Sequence, residues 1–189
     1  MDLGREGEVV AALPEPLRPD AWLLRAIRLR PGLAGALVTQ RGSAAAPVLW
    51  RAWRGELQVR PDSADLAQAL TVGSLAQVPL DGLSPELRSQ ILLARGQAWR
   101  RAGQRARARE ALFAATADAP ADLLPELAVA RARLALDEGE RASVLEHLQA
   151  ALAASPAPEV LRDRLLADPE LGGALVGAPD PEEPTAHPD

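Results

Sequence analysis

The chain has 189 residues, 48% apolar and 25% charged, a balance that excludes a disordered polymer and fits one soluble domain of ordinary size. It has no Cys, which removes disulfides and thiolate metal sites, and no apolar run approaches the ~20 residues of a membrane span. The net charge of -5 is unevenly divided: residues 1–117 carry 16 Arg against 11 acids, whereas residues 118–189 carry 5 Arg against 15 acids, so surfaces of opposite sign are expected. All 21 basic residues are Arg, and Lys and Asn are absent, a usage that suggests a GC-rich bacterial genome. The start, MDLGREGEVVAALPEP, has no basic opening and only a short apolar run, so a secretory signal is not expected and a cytoplasmic location is.

Residues 1–18 form an N-terminal segment, a short apolar run followed by a Pro-broken linker. Asp20 is placed to cap a helix through about Leu29, with Trp22, Leu23, Ala26 and Ile27 on one face, and Pro31 and Gly32 end it. A short helix is expected over Leu33 to Gln40, then a turn at Arg41-Gly42-Ser43. Residues 47–60 carry two patterns. Leu49, Trp50, Trp53 and Leu57 recur at helical spacing, while Trp53 to Val59 also reads as a hairpin bent at Gly55; the helix is favoured because its neighbours are helical. Asp62 or Ser63 caps a further helix through about Ala76, with Leu66, Ala67, Leu70 and Leu75 apolar. Together, residues 19–84 read as degenerate helical hairpins.

Ser84-Pro85-Glu86 is a helix start: a hydroxyl for an orphan N–H, a proline suited to the first turn, and an acid suited to the dipole. The helix it opens carries Leu92, Gly96 and Trp99 on one stripe and stops at Gly103. A second helix, about Arg105 to Ala117, puts Ala108, Leu112 and Ala115 on one stripe, and Pro120 follows. Residues 87–120 and 123–156 match at 12 of 34 positions, among them Gly103/Gly139, Leu112/Leu148, Ala115/Ala151 and Pro120/Pro156. The matches fall on the positions a helical hairpin needs, which makes a 36-residue internal repeat the better reading. Pro158-Glu159 starts a closing helix with Val160, Leu161, Leu165 and Leu166 apolar, and the acidic, Pro-rich residues 177–189 are expected to be disordered.

Small, aromatic, small, bulky, small and closing-proline positions here are Gly96, Trp99, Ala108, Leu112, Ala115 and Pro120; in the next unit Ala132, Leu148, Ala151 and Pro156 match. In this the chain resembles the tetratricopeptide repeat family, although Ala135 replaces the aromatic, Val144 a small residue, and the period is 36 rather than about 34. The resemblance implies an all-α solenoid of stacked antiparallel hairpins over residues 85–176, the last helix closing it. It also implies a groove for a protein or peptide partner. By position that groove would be lined by Gln90, Leu93, Gln97, Arg100 and Arg101, then Glu126, Val129, Arg133, Leu136 and Asp137. A carboxylate clamp by Gln97, Arg101 and Arg133 is chemically possible, since a guanidinium takes a carboxylate bidentately.

The Arg cluster 100, 101, 105, 107 and 109 reads first as a helix C-terminus and a solvated face, with Arg107 three residues from Glu110; it also suits an acidic protein or, as an alternative, nucleic acid. His147 sits beside Glu146 without an acid pair to orient it, and Asp137, Glu138 and Glu140 mark a turn. Trp50 and Trp53 are expected in a core. No grouping amounts to a catalytic centre, a cofactor loop or a metal site, so the expectation is a non-enzymatic interaction module or scaffold that needs no cofactor.

Overall fold

A computed structural model describes residues 33–59 and 75–175. Every regular element among them is helical: α1 (Leu33–Arg41), α2 (Ala46–Val59), α3 (Pro85–Arg101), α4 (Arg105–Ala114), α5 (Leu124–Glu138), α6 (Arg141–Ala154), α7 (Pro158–Leu166) and the single turn α8 (Gly172–Leu175). Short 3-10 turns cover Gly42–Ala45, Leu75–Gln77 and Ala121–Leu123. The helix expected to start at Asp20, most of the one expected to end near Ala76, and the two chain ends lie outside the described residues. The chain divides into two compact units, Met1–Ala119 and Pro120–Asp189.

In the first unit, α2 is a helix throughout, and Gly55 stays inside it. Val48, Leu49, Trp50 and Trp53 are buried, a face that recurs at three and four residues as a helix requires and a hairpin does not. The helix α3 starts as the sequence indicates: the Leu87 N–H donates to Ser84 Oγ at 3.3 Å and Pro85 occupies the first turn. It is buried around much of its circumference, at Ser89, Ile91, Leu92, Leu93, Ala94, Gly96 and Ala98, because α2 and α4 both pack on it. Gly96 permits the approach of α4: a Cβ there would lie 2.5 Å from Cγ and Cδ2 of Leu112 and 3.3 Å from the Ala108 carbonyl oxygen. The helix α4 ends at Ala114, three residues before the expected Ala117. Thr116 Oγ1 donates to the Leu112 carbonyl oxygen at 3.1 Å and the Thr116 N–H turns to Phe113 O, so the last turn tightens and stops.

The second unit has its own core of Val129, Ala132, Ala135, Val144, Leu148, Ala151, Leu161, Leu165 and Leu171. The closing helix α7 enters that core through Leu161 and Leu165 alone. Val160 and Leu166, expected among its apolar positions, are 69% and 46% exposed. A nine-residue helix has one stripe for a neighbour; the i, i+4 pair takes it and the flanking pair is left outside.

The two hairpins close with the same turn. Gly103 and Gly139 have φ of +72° and +77°, the left-handed conformation glycine adopts without strain. Gln104 N–H donates to Trp99 O at 2.8 Å and Gly103 N–H to Arg100 O at 2.9 Å; thirty-six residues on, Glu140 N–H donates to Ala135 O at 2.9 Å and Gly139 N–H to Leu136 O at 3.1 Å. Each turn thus satisfies the same two orphan carbonyls. Ala108 N–H and Val144 N–H then return to the carbonyls of Gln104 and Glu140, both at 3.0 Å, and open the second helices alike. Leu112 and Leu148 are buried at matching positions, as are Ala115 and Ala151.

Candidate functional site

Gln90, Gln97 and Arg101 lie seven and four apart on α3 and therefore share a stripe. Its middle faces α2. Trp53 Nε1–H donates to Gln97 Oε1 at 2.8 Å, and the Arg101 guanidinium stands over the Trp53 ring, 6.0 Å from its centroid. Gln90 Nε2 donates to Glu86 Oε1 at 3.2 Å on its own helix, and Arg100 is half-buried. Leu93 is fully buried, so it packs rather than lines a groove.

In the second unit the corresponding positions meet the closing segment. Arg133 Nη2 donates to Asp168 Oδ2, and its Nε lies 3.4 Å from Glu170 Oε2, an ion pair without hydrogen-bond geometry. Asp168 Oδ1 accepts from the Glu170 and Leu171 N–H groups at 2.9 and 3.1 Å. Burial raises the Asp168 pKa, but the hydrogen bond and charge of Arg133, with those two amides, outweigh it and hold the carboxyl below its ordinary value. Val129 belongs to the core and Leu136 packs against it, while Glu126 and Asp137 are half-buried. The carboxylate clamp chemistry expected of Arg133 is thus present, with the protein's own Asp168 as its occupant. Of Gln97, Arg101 and Arg133, expected to act on one ligand, Gln97 and Arg133 serve joints inside their own units, while Arg101 leans over the Trp53 ring and stays exposed.

The Arg-rich turn between α3 and α4 is exposed to solvent. Arg101, Arg105, Arg107 and Arg109 are exposed, and the Arg107 guanidinium stacks 4.9 Å above the half-buried Trp99 ring. Two of the five guanidiniums are therefore held by rings, which lowers the ordering entropy of any contact they make. Arg100 and Arg101 suit the negative end of α3. Arg105 and Arg107 do not have that explanation: they stand in the first turn of α4, where cations oppose the dipole, with no acid there and no side-chain cap from Gln104. The described residues of this unit carry ten Arg against five acids; those of the second carry five against ten.

Two features escaped sequence reasoning. Phe113 is 78% exposed one turn beyond Arg109, so an aromatic does accompany the arginines; its place off the Ala108–Leu112–Ala115 stripe was the available signal. Arg95 donates through Nε to Leu75 O at 2.6 Å and through Nη2 to Val78 O, pinning a 3-10 turn to α3. Burial lowers the pKa of Arg95 and likewise of Arg131, its counterpart 36 residues on, and that identity was readable in the repeat.

His147 is half-buried, and its pKa is lowered first by burial and then by the Arg131 charge, with Glu146 and Glu140 opposing. Among the described residues no three His, Cys, Asp or Glu side chains gather to hold a metal ion, and no helix is long and apolar enough to cross a membrane. No protein-family model, curated protein or solved structure matches the chain.

Proposed function

We propose that the chain is a non-enzymatic protein-interaction module, a scaffold of stacked tetratricopeptide-like hairpins that presents the α3–α4 turn to an acidic protein or peptide partner in the cytoplasm. The observation that carries this reading is the placement of Arg105 and Arg107 at a helix start that disfavours cations, with Arg107 stacked on Trp99. Arg105 there opposes the helix dipole without a side-chain cap or a first-turn acid to offset it, and the Trp99 ring orders Arg107. Arg100 and Arg101 extend the surface, and each guanidinium can take a carboxylate through two parallel N–H bonds.

Titration with poly-glutamate tests the chemistry directly. Wild type is expected to bind in a salt-dependent manner, and the Arg105→Glu/Arg107→Glu variant to lose most of that binding while keeping its helical circular dichroism. Equal binding by both proteins would remove the turn from the account. The nucleic-acid alternative draws on Phe113, since an exposed ring beside arginines can stack on a base. It predicts binding of oligo-dT that falls steeply with salt and is lost in Phe113→Ala; absence of binding at low salt excludes it.

A further inference from the structure

The described residues expose three large apolar side chains, Phe113 on α4 and Val160 and Leu166 on α7. The outer faces of these two helices carry one positional pattern with the charges inverted. On α4, Ala106 and Phe113 are seven apart and share a line; Arg105 and Arg109 flank it on one side and Glu110 on the other. On α7, Val160 and Ala167 are seven apart; Glu159 and Asp163 flank that line on the same side, and Arg164 on the other. Counted from the first residue of each line, the flanking positions are the same three, one before, three after and four after. They read Arg, Arg, Glu on α4 and Glu, Asp, Arg on α7. All ten of these residues are exposed.

When two helices pack face to face and antiparallel, flanks of the same hand meet. With Phe113 set against Val160, Ala106 falls opposite Ala167. Arg109 then comes alongside Asp163 and Glu110 alongside Arg164, within one residue of level on the axes. A parallel arrangement sets Arg109 beside Arg164 instead, a like-charge contact. We infer that the occupant of the α4 outer face is a second copy of this chain, which presents α7 antiparallel to it, with Phe113 and Val160 as the apolar centre and two opposite ion pairs fixing direction. This surface shares Arg105 with the turn but none of Arg100, Arg101 and Arg107, and the inference goes beyond the partner-binding reading. The contact joins two different patches, so copies associate either reciprocally into a two-fold dimer or head to tail.

Sedimentation velocity of the full chain over a concentration series tests this. Wild type is expected to exceed its monomer mass of 20.0 kDa as concentration rises, and less so at high salt. Arg109→Asp and Asp163→Arg each place like charges together and are expected to weaken association by roughly tenfold or more. The double variant, Arg109→Asp with Asp163→Arg, restores it. Phe113→Ser removes the apolar centre and returns the protein to monomer with unchanged circular dichroism. Wild type that stays at the monomer mass at the highest soluble concentration overturns the inference, as does a double variant no better associated than the singles. Monomeric wild type whose Phe113 face takes oligo-dT or poly-glutamate would reassign the occupant and equally overturn it.

Discussion

The hairpins at 85–114 and 124–154 share a backbone plan and differ in almost everything laid over it. Their turns superimpose in kind, glycine for glycine and hydrogen bond for hydrogen bond, at an interval of 36 residues. Yet the first turn reads Arg100-Arg101-Ala102-Gly103-Gln104-Arg105 and the second Leu136-Asp137-Glu138-Gly139-Glu140-Arg141, so the same geometry carries opposite charge. Inside, the first hairpin closes on Gly96 and keeps Trp99 as a shelf for Arg107; the second uses Ala132 and Ala135 and fills its core with α7 and Leu171. A few positions therefore suffice to specify a helical hairpin: a left-handed residue after the first helix, a small residue facing a leucine, and a second small residue one turn on. The remaining surface is free to take on binding roles.

The largest expected effect tests how far the cores correspond. Leu148→Ala empties the centre of the second unit and should cost about 2–5 kcal/mol, measured by denaturant unfolding, and Leu112→Ala should fall in the same range. Gly96→Ala separates the two hairpins: it should cost about 1–3 kcal/mol because the added methyl meets Leu112 and the Ala108 carbonyl. The matching Ala132→Gly removes a fully buried methyl from a helix and should cost about 1–2 kcal/mol, through lost burial and helix propensity instead of overpacking. A neutral or stabilising Gly96→Ala would mean that the α3–α4 approach has room for the methyl.

Gly103→Ala and Gly139→Ala restore the comparison, each costing about 1–2 kcal/mol for a left-handed alanine. Asp168→Asn leaves its oxygen for the Glu170 and Leu171 amides but weakens the Arg133 pair, for about 1 kcal/mol at neutral pH. Because the folded-state pKa of Asp168 is depressed, its contribution is present above the unfolded value of about 3.9 and is lost as pH falls through the folded value. Acid unfolding of wild type should therefore show a low-pH loss that Asp168→Asn lacks. Arg105→Glu comes last and with opposite sign, a gain of about 0.3–1 kcal/mol from an acid in the first turn of α4.

Local rules made much of the fold legible. Ser84, Pro85, Gly103, Gly139 and Pro158 act through backbone and cap chemistry within a few residues, and the elements start or stop there. The 36-residue echo located the second hairpin for the same reason. Side-chain partners far along the chain were not legible: Trp53 meets Gln97 across 44 residues and Arg133 meets Asp168 across 35, and both turned positions expected to line a groove into internal joints. On α7 the i, i+4 spacing of Leu161 and Leu165 marks the buried stripe, whereas Val160 and Leu166, six apart, do not share a face.

The central claim, that the first turn keeps its arginines for a partner and not for the fold, rests most directly on the Arg105→Glu/Arg107→Glu variant. Its thermal midpoint and its poly-glutamate affinity should be measured on the same preparation. The account predicts a midpoint equal to or above that of wild type and most of the binding gone. A lowered midpoint with binding retained would contradict it.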